Sequence, residues 1–267
     1  MSRVAVIGTG MMGEALMAGM LAAGWAPADI VGADRRAERC RELEQKYGIA
    51  TATDSAAAVE GAAVVLILVK PQDVGSVLPE IGPQLADGAV VVSLCAGVTL
   101  ATLQAGLPAG TPVVRVMPNT PALVGQGMAA LSPGEAVTDE QLARAVHILE
   151  AVGKAVVVPE RYQDAVTAIS GSGPAYVFYI AEALADAGVL LGLPRDTAVT
   201  LANQTLLGGA TMLAQSDDHA AVLRERVTSP AGTTAAALRT LEDRAVKAAF
   251  LAAAEAARDR SLELGRG

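Results

Sequence analysis

The sequence predicts an α/β protein in which a doubly wound parallel sheet is followed by an all-helical domain. Short β-branched runs alternate with helix-length segments as far as Pro159, and beyond it long Ala/Leu-rich helical patterns replace the strand signals. The alternation is typical of βαβ units, and a later run of helices indicates a second domain. We therefore expect one domain over residues 1–160 and another over residues 161–267.

The predicted strands of the first half are apolar at consecutive positions, which is typical of parallel strands covered on both faces. They occupy residues 4–7, 29–33, 64–69, 89–92 and 112–116, with helices predicted over residues 12–23, 36–47 and 73–85. Because βαβ crossovers are right-handed, this order predicts helices on both faces of one sheet. Two further strands, over residues 127–131 and 155–158, flank a helix over residues 139–152 and are expected to complete the sheet edge.

The predicted helices of the second half cover residues 175–191, 195–213, 220–227 and 244–264. They are rich in alanine and short aliphatic residues, so their apolar faces are broader than one small domain readily buries. We expect this surface to form a dimer interface. The alternative is a self-contained helical bundle.

Composition excludes several classes of protein. Apolar residues make up 52% of the chain and charged residues 18%, so a disordered chain is excluded. The net charge of −8 and the 3% aromatic content disfavour a nucleic-acid or anionic-membrane partner. Cys40 and Cys95 form no CxxC pair, so neither a disulfide framework nor a metal site is expected. A soluble protein of the reducing cytoplasm fits these features best.

A glycine-rich motif, Gly8-Thr9-Gly10-Met11-Met12-Gly13, follows the first predicted strand directly and opens the first predicted helix. This context is typical of a Rossmann-like dinucleotide site. The first glycine permits the tight turn, the second lets the backbone approach a pyrophosphate, and the third allows close packing of helix and strand. The free N–H groups of the helix start would then face the phosphates. All six residues are candidate cofactor contacts.

The residues that follow the second predicted strand bear on the choice of cofactor. Asp34 is placed to accept hydrogen bonds from the adenosine ribose, which favours NADH. Arg35 and Arg36 come next, and a guanidinium there could pair with a 2′-phosphate, which favours NADPH. They could equally be solvated charges of a first helical turn. The sequence leaves the choice between NADPH and NADH open.

Four later segments, taken with the glycine motif, resemble the pyrroline-5-carboxylate reductase family in the same order and over essentially the whole chain. The segments are Val69-Lys70-Pro71, Met117-Pro118-Asn119-Thr120-Pro121-Ala122, Ser170-Gly171-Ser172-Gly173-Pro174-Ala175-Tyr176 and Thr228-Ser229-Pro230-Ala231-Gly232-Thr233-Thr234. The resemblance implies a dinucleotide-binding Rossmann domain, then a helical dimerisation and substrate domain. It also implies homodimers that often form decamers, and NADPH- or NADH-dependent reduction of 1-pyrroline-5-carboxylate to L-proline.

The resemblance also implies roles for particular residues. Those that would contact the cofactor at the ends of later strands are Val69, Lys70, Pro71, Ala96, Gly97, Met117, Pro118 and Asn119, the last three near the nicotinamide. Those that would hold the substrate carboxylate are Ser229, Gly232, Thr233 and Thr234, with the Thr234 hydroxyl nearest the ring nitrogen. The substrate ring would thus lie against a nicotinamide held by the first domain.

Two residues depart from the family pattern. Met11 stands where an asparagine is common, so a side-chain contact made there is lost. Ala231 replaces a glycine of the substrate loop, and its Cβ disfavours a positive φ. Ser229 and Pro230 before an Ala-rich run predict a helix with Ser229 as N-cap and Pro230 at its first position. Such a helix start would supply the local positive potential that an anionic carboxylate needs.

The residues themselves favour imine reduction over the related chemistry of hydroxyacids. A hydroxyacid dehydrogenase needs a positioned acid or base, whereas a protonated cyclic imine needs orientation and a hydrogen-bonding hydroxyl, which Thr234 supplies. His147 and His219 lie away from the predicted nucleotide-binding strand ends and are expected to be structural. A β-hydroxyacid-dehydrogenase-like enzyme is the alternative, but no lysine follows Ser170–Gly173 by one helical turn. A further alternative is a non-catalytic NAD(P)-binding regulatory protein, which the intact substrate loop disfavours.

Overall fold

The first part of the chain forms one eight-stranded sheet. The computed structural model describes residues 3–265, so the outer limits of the two predicted domains, residues 1 and 267, lie outside it. The strands are β1 Val4–Ile7, β2 Ile30–Ala33, β3 Ala50–Ala52, β4 Val64–Ile67, β5 Val90–Ser93, β6 Val113–Met117, β7 Gly127–Pro133 and β8 Gly153–Val157. Their order is β3-β2-β1-β4-β5-β6-β7-β8. The β6–β7 pair is antiparallel and the other neighbours are parallel, which confirms the predicted α/β fold.

Both faces of the sheet are covered, as the consecutive apolar positions predict. The side chains of β1 are at most 1% exposed. Val4 and Val6 belong to one hydrophobic cluster, and Ala5 and Ile7 belong to the cluster on the opposite face. The helices of this part are α1 Met11–Ala22, α2 Ala37–Tyr47, α3 Ser55–Val59, α4 Val74–Ile81, α5 Leu100–Ala105, α6 Asp139–Glu150 and α7 Gln163–Val166.

The structure differs from the sequence prediction at several element ends. The expected helix over residues 73–85 is shorter, since α4 ends at Ile81 and a 3₁₀ turn, Gly82–Gln84, follows. Pro83 lies in that turn, and it has no N–H with which to continue the i→i−4 hydrogen bonds of α4. The edge strand β3 and the short helices α3 and α5 were not predicted. β3 has only three residues and no buried position, so it carries no apolar pattern.

The second part of the chain is helical. Its helices are α8 Gly173–Leu190, α9 Arg195–Gln215, α10 Ala220–Arg226, α11 Thr233–Asp243 and α12 Val246–Leu264. Within residues 172–257, all of which the structure describes, the buried side chains are Ala185, Ala198 and Ala202. Large apolar side chains such as Leu190 and Phe178 are exposed, so this unit has little core of its own. Among residues 3–265, no helix has the length and apolar character needed to cross a membrane.

The contacts divide the chain into two compact units. The first extends up to Gly171 and includes the residues from Arg258 onward, and the second is Ser172–Ala257. The division therefore falls eleven residues after the boundary expected at residue 160. A five-residue π-helical segment, Thr167–Gly171, precedes the division.

Candidate functional site

The glycine motif forms the turn between β1 and α1, and each of its three glycines has a distinct environment. Gly8 has a φ of +97°, and an added Cβ would lie 2.7 Å from the carbonyl carbon of Leu68. An added Cβ on Gly13 would lie 2.3 Å from the carbonyl oxygen of Gly8, so only glycine fits the packing of α1 on this turn. Gly10 is the N-cap of α1, and a Cβ there would meet nothing within 4 Å. Space therefore lies open in front of the helix start.

An open cleft of about 810 Å³ lies at the carboxyl ends of the central strands. The strand order reverses at β1, which has β2 on one side and β4 on the other, and such a reversal is where α/β sheets bind ligands. The predicted cofactor residues that line the cleft are Gly8, Gly10, Asp34, Arg35, Arg36, Val69 and Lys70. Its volume is in the range usual for small-molecule sites.

The cleft has a further wall that the sequence analysis missed. Thr53, Asp54 and Ser55 line it, together with Ser76 and Glu80. Asp54 is the N-cap of α3, where its carboxylate accepts a hydrogen bond from the N–H of Ala56. The backbone N–H of Ser55 donates to Glu80 Oε1 at 3.2 Å. In the sequence, Asp54-Ser55 is a recognisable helix start. It could not be assigned to the cleft, however, because the strand β3 that places it there was not predicted.

Asp34, at the end of β2, is already fully engaged by neighbouring groups. Its Oδ1 accepts from the backbone N–H and the Nε of Arg36, both at 3.0 Å. Its Oδ2 accepts from Arg36 Nη2 at 3.1 Å and from the Thr9 hydroxyl at 3.0 Å. Burial by itself would raise the pKa of this carboxyl, but the hydrogen bonds from Arg36 and Thr9 prevail and lower it to about 2. Asp34 is thus ionised and charge-compensated at neutral pH.

The other basic residues of the cleft are at its exposed edge. Arg35 is paired with Asp73 at 3.0 Å, and its side chain is 75% exposed. Lys70 is exposed at the N-cap of the 3₁₀ turn Pro71–Asp73, which begins with the predicted residue Pro71. Exposed cations on flexible side chains can reorient toward an incoming anion at little cost.

The other predicted cofactor residues of the glycine motif, and those that follow β5, do not line this cleft. Thr9 is fully buried, Met12 packs against the core, and Met11 is 77% exposed. Ala96 is exposed and Gly97 has a φ of +76° in the turn that follows β5. Ala96 and Gly97 therefore come at the carboxyl end of a parallel strand, as expected, but outside the cleft described above.

Cys95 ties the ends of two neighbouring strands together. Its buried thiol donates to the carbonyl oxygen of Val69 at 3.2 Å. Burial raises the pKa of this thiol to about 11, so it stays protonated and keeps its donor. It is thus a structural link behind Val69 that sequence reasoning did not single out, since an isolated cysteine gives no signal.

The end of β6 contacts the π-helical segment. Asn119 Nδ2 donates to the carbonyl oxygen of Ser170 at 3.0 Å, and Asn119 Oδ1 accepts from the N–H of Met128 at 2.8 Å. A Cβ added to Gly171 would lie 2.5 Å from Met117 Cε. Pro118 lines a small cavity of about 10 Å³ beside Met12. The Asn119 side chain is therefore committed to protein groups on both its amide atoms.

The predicted substrate loop forms the start of α11, but the expected cap is wrong. The helix begins at Thr233, and its N-cap is Gly232 rather than Ser229. Ala231 has a φ of +59°, so the chain cannot pass from Pro230 straight into a right-handed helix. Instead the N–H of Gly232 donates to the carbonyl oxygen of Ser229 at 3.0 Å. No side chain caps α11, and Thr234 is half-buried in its first turn.

The helix expected over residues 175–191 begins two residues earlier in the structure. α8 begins at Gly173 with Ser172 as N-cap and Pro174 in the first turn.

The two histidines make structural contacts, as expected. His147 stacks on Trp25 with ring centroids 6.0 Å apart, and His219 Nδ1 accepts from the N–H of Ala221 at the start of α10.

The fold and the cleft define a dinucleotide-dependent oxidoreductase with a helical C-terminal part. Comparison with known proteins agrees: residues 3–97 match the family described as NADP oxidoreductase, coenzyme F420-dependent, and residues 160–264 match pyrroline-5-carboxylate reductase dimerisation. A pyrroline-5-carboxylate reductase of Corynebacterium melassecola is 47% identical over 100% of both chains. The chain belongs to the pyrroline-5-carboxylate reductase family, which confirms the resemblance found in the sequence.

Solved structures agree with this membership. A pyrroline-5-carboxylate reductase from Coxiella burnetii has a TM-score of 0.96 at 36% identity, covering 98% of each chain. A Plasmodium falciparum pyrroline carboxylate reductase with NADP bound has a TM-score of 0.85 at 30% identity, covering 99% of this chain and 98% of that one. The chain is accordingly an NAD(P)H-dependent reductase of 1-pyrroline-5-carboxylate to L-proline, and neither alternative from the sequence is supported.

Proposed function

We propose that the cleft at β1, β2 and β4 holds the NADPH or NADH that this reductase uses, and that the loop from Ser229 to Thr234 binds the carboxylate of 1-pyrroline-5-carboxylate. The observation that carries the cofactor site is the open space at Gly10. A Cβ there meets nothing within 4 Å, whereas one on Gly8 or Gly13 collides with backbone. Gly8 and Gly13 are thus required by packing, and Gly10 leaves room for a phosphate group at the helix start.

The adenosine end of the proposed site carries two arginines. Both Asp34 oxygens already accept from Arg36 and Thr9, so a ribose hydroxyl has to compete with these donors. A 2′-phosphate instead meets the guanidinium of Arg36 beside it and the exposed guanidinium of Arg35. Arginine and phosphate form strong charge-assisted hydrogen bonds. We propose that this end of the cleft accepts the 2′-phosphate of NADPH.

The substrate loop suits an anionic carboxylate for a reason based on the backbone. No side chain caps α11, so the first N–H groups of the helix, at Thr233 and Thr234, have no intrahelical acceptor. A Cβ added to Gly232, the N-cap, would collide with the Ser229 hydroxyl, so glycine at this position lets Ser229 lie beside the helix start. The chain has a net charge of −8, so the dipole of an uncapped helix start is a local source of positive potential. Four residues of this loop, Ser229, Gly232, Thr233 and Thr234, remain the proposed carboxylate contacts.

Reduction of a protonated imine requires few catalytic side chains. The bound cofactor supplies a hydride to the ring carbon of the imine, and the ring nitrogen enters already protonated. The protein then has to orient the ring and to hydrogen-bond its nitrogen. We propose that the Thr234 hydroxyl accepts the hydrogen bond of the iminium N–H and is the catalytic group in this sense. No titrating acid is needed for hydride delivery.

The activity is tested by the decrease in NAD(P)H absorbance after addition of 1-pyrroline-5-carboxylate, with a 3-hydroxyacid plus NAD(P)+ as control. Thr234→Ala is expected to reduce kcat about 100-fold, as for loss of one positioned hydrogen-bonding group, while the Kd for NADPH stays unchanged. Thr234→Ser retains the hydroxyl and is expected to restore most of kcat. Thr240→Ala, an exposed position on the same helix, is the matched control. Wild-type kcat in Thr234→Ala would remove the assigned role.

We also propose that the chain forms a homodimer through the part matched by the dimerisation family, and that dimers assemble further into decamers. The exposed apolar side chains of residues 172–257 support the dimer, because exposed apolar surface of this extent is typical of an interface. Light scattering at micromolar concentration gives the mass, and a monomer would contradict the proposal. Two buried free thiols are compatible with the reducing cytoplasm that we propose as its location.

A further inference from the structure

One side chain of α2 reaches back to the glycine motif and contacts it. Arg39 Nε donates to the carbonyl oxygen of Thr9 at 3.0 Å. A terminal nitrogen of the same guanidinium donates to the carboxylate of Glu14 in the first turn of α1. Arg39 is only 18% exposed, so its position is fixed by packing as well as by these bonds. The guanidinium thus joins the turn that precedes α1 to the first turn of the helix itself.

Glu14 places a negative charge in the helix turn that would face a pyrophosphate. Its carboxylate also accepts from Lys46 Nζ and from the Tyr47 hydroxyl, each at 2.8 Å. The hydrogen bond from Arg39, then that from Lys46, lowers the pKa of Glu14 to about 2, so the charge persists at neutral pH. An acidic residue in the first turn stabilises the helix but repels an anionic ligand at the helix start. Arg39 and Lys46 offset that repulsion.

We propose that Arg39 is a positioning residue for the cofactor. It fixes the Thr9 carbonyl and so the shape of the glycine turn, and it neutralises Glu14, so that the start of α1 keeps its positive potential toward the pyrophosphate. The flat guanidinium donates to both acceptors at once through two different nitrogens, which are held in one fixed plane. The inference rests on the proposed cofactor site at Gly8–Gly13.

The test compares cofactor affinity with turnover in the full-length protein. Arg39→Gln is expected to raise the Kd and the KM for NADPH and for NADH alike, by about 10-fold, the effect of losing one charge-assisted hydrogen bond. The kcat at saturating cofactor and the KM for 1-pyrroline-5-carboxylate are expected to stay near wild type. Arg41→Gln removes the same charge from an exposed position of the same helix and is expected to change nothing.

A double variant separates the two parts of the role. In Arg39→Gln, Lys46 is the cation that still pairs with Glu14. Adding Glu14→Gln removes this under-compensated carboxylate, so part of the cofactor affinity is expected to return. Arg39→Lys retains the charge and serves if Arg39→Gln does not fold, and its Kd is expected to lie between those of wild type and the glutamine variant. Melting curves establish that each variant is folded before affinity is compared.

The outcomes that overturn the inference differ from those that overturn the cofactor site. If Arg39→Gln and Arg39→Lys bind NADPH within twofold of wild type while Gly10→Val loses binding, Arg39 has no positioning role and the site stands. If the double variant binds no better than Arg39→Gln, the charge-compensation part is wrong. If Gly10→Val itself binds NADPH normally, the cofactor-site assignment fails, and the inference fails with it.

Discussion

Substitution of Gly10 and of Gly13 should separate cofactor binding from folding. Gly10 has a φ of −65°, which any residue adopts, and an added side chain meets no neighbour within 4 Å. Gly13 is buried in α1, and an added Cβ would lie 2.3 Å from the carbonyl oxygen of Gly8. The same kind of substitution, three residues apart, is therefore expected to affect the proposed cofactor site in one case and the packing of a helix on its turn in the other.

The expected magnitudes follow from these contacts. Gly10→Val costs about 0.5–1 kcal/mol of stability, because valine is a poor N-cap. It should weaken NADPH binding by at least about 100-fold, since the side chain fills the space that the pyrophosphate needs. Gly13→Ala forces backbone to move, which costs about 3 kcal/mol, and higher helix propensity returns about 1 kcal/mol. The net loss of about 2 kcal/mol corresponds to a decrease of about 4–8 °C in Tm.

Two measurements check this pair. Titration of NADPH fluorescence gives the Kd, and thermal unfolding followed by circular dichroism gives the Tm for each variant. Gly10→Val with wild-type Kd would refute the cofactor site. Gly13→Ala with wild-type Tm would refute the packing argument for the third glycine, whatever its effect on binding.

Three further predictions follow from particular contacts. Arg35→Ala combined with Arg36→Ala should raise the KM for NADPH by about 10- to 100-fold and leave the KM for NADH nearly unchanged, because only NADPH has the 2′-phosphate. Kinetics measured in parallel with both cofactors check this, and an equal rise in the two KM values would contradict it. Ala231→Gly should increase the free energy of unfolding by about 0.5 kcal/mol by relieving its positive φ, with kcat within twofold; unchanged or lower stability in urea unfolding would count against the strain. Glu14 has a lowered pKa, so the stability that it contributes is present above pH 4.5 and is lost as pH falls toward about 2; solvent screening limits this to about 1 kcal/mol, and Glu14→Gln should flatten the dependence of urea unfolding on pH between about 5 and 3.

The sequence was sufficient for features that depend on local patterning. Consecutive apolar residues predicted β1 and β4, whose side chains are buried on both faces of the sheet. The spacing of the glycines predicted close packing at the third glycine, and a Cβ added to Gly13 would collide with the carbonyl oxygen of Gly8. In both cases the constraint is visible in the residue types themselves: burial on two faces requires consecutive apolar residues, and close packing at a turn requires glycine.

Features that depend on residues distant in sequence could not be predicted from the sequence. The commitment of Asp34 to Arg36 and Thr9 could not be predicted, because a carboxylate followed by two arginines is compatible with several pairings. The wall formed by Thr53 to Ser55 required the strand β3, whose three residues carry no pattern. The link between Arg39 and the Thr9 carbonyl spans thirty residues and leaves no trace in the spacing of either.

At the start of α11, the sequence motif identified the family correctly, but the N-cap residue predicted from it was wrong. Ser-Pro before an Ala-rich run is a common helix start, and on propensity alone Ser229 is the better cap. Ala231 nevertheless adopts the left-handed conformation that glycine favours, with a φ of +59°. The helix start therefore moves to Gly232, and α11 is left without a side-chain cap. A serine cap would have occupied one of the first N–H groups of the helix, so the uncapped start of α11 leaves that donor available for the carboxylate contact that we propose.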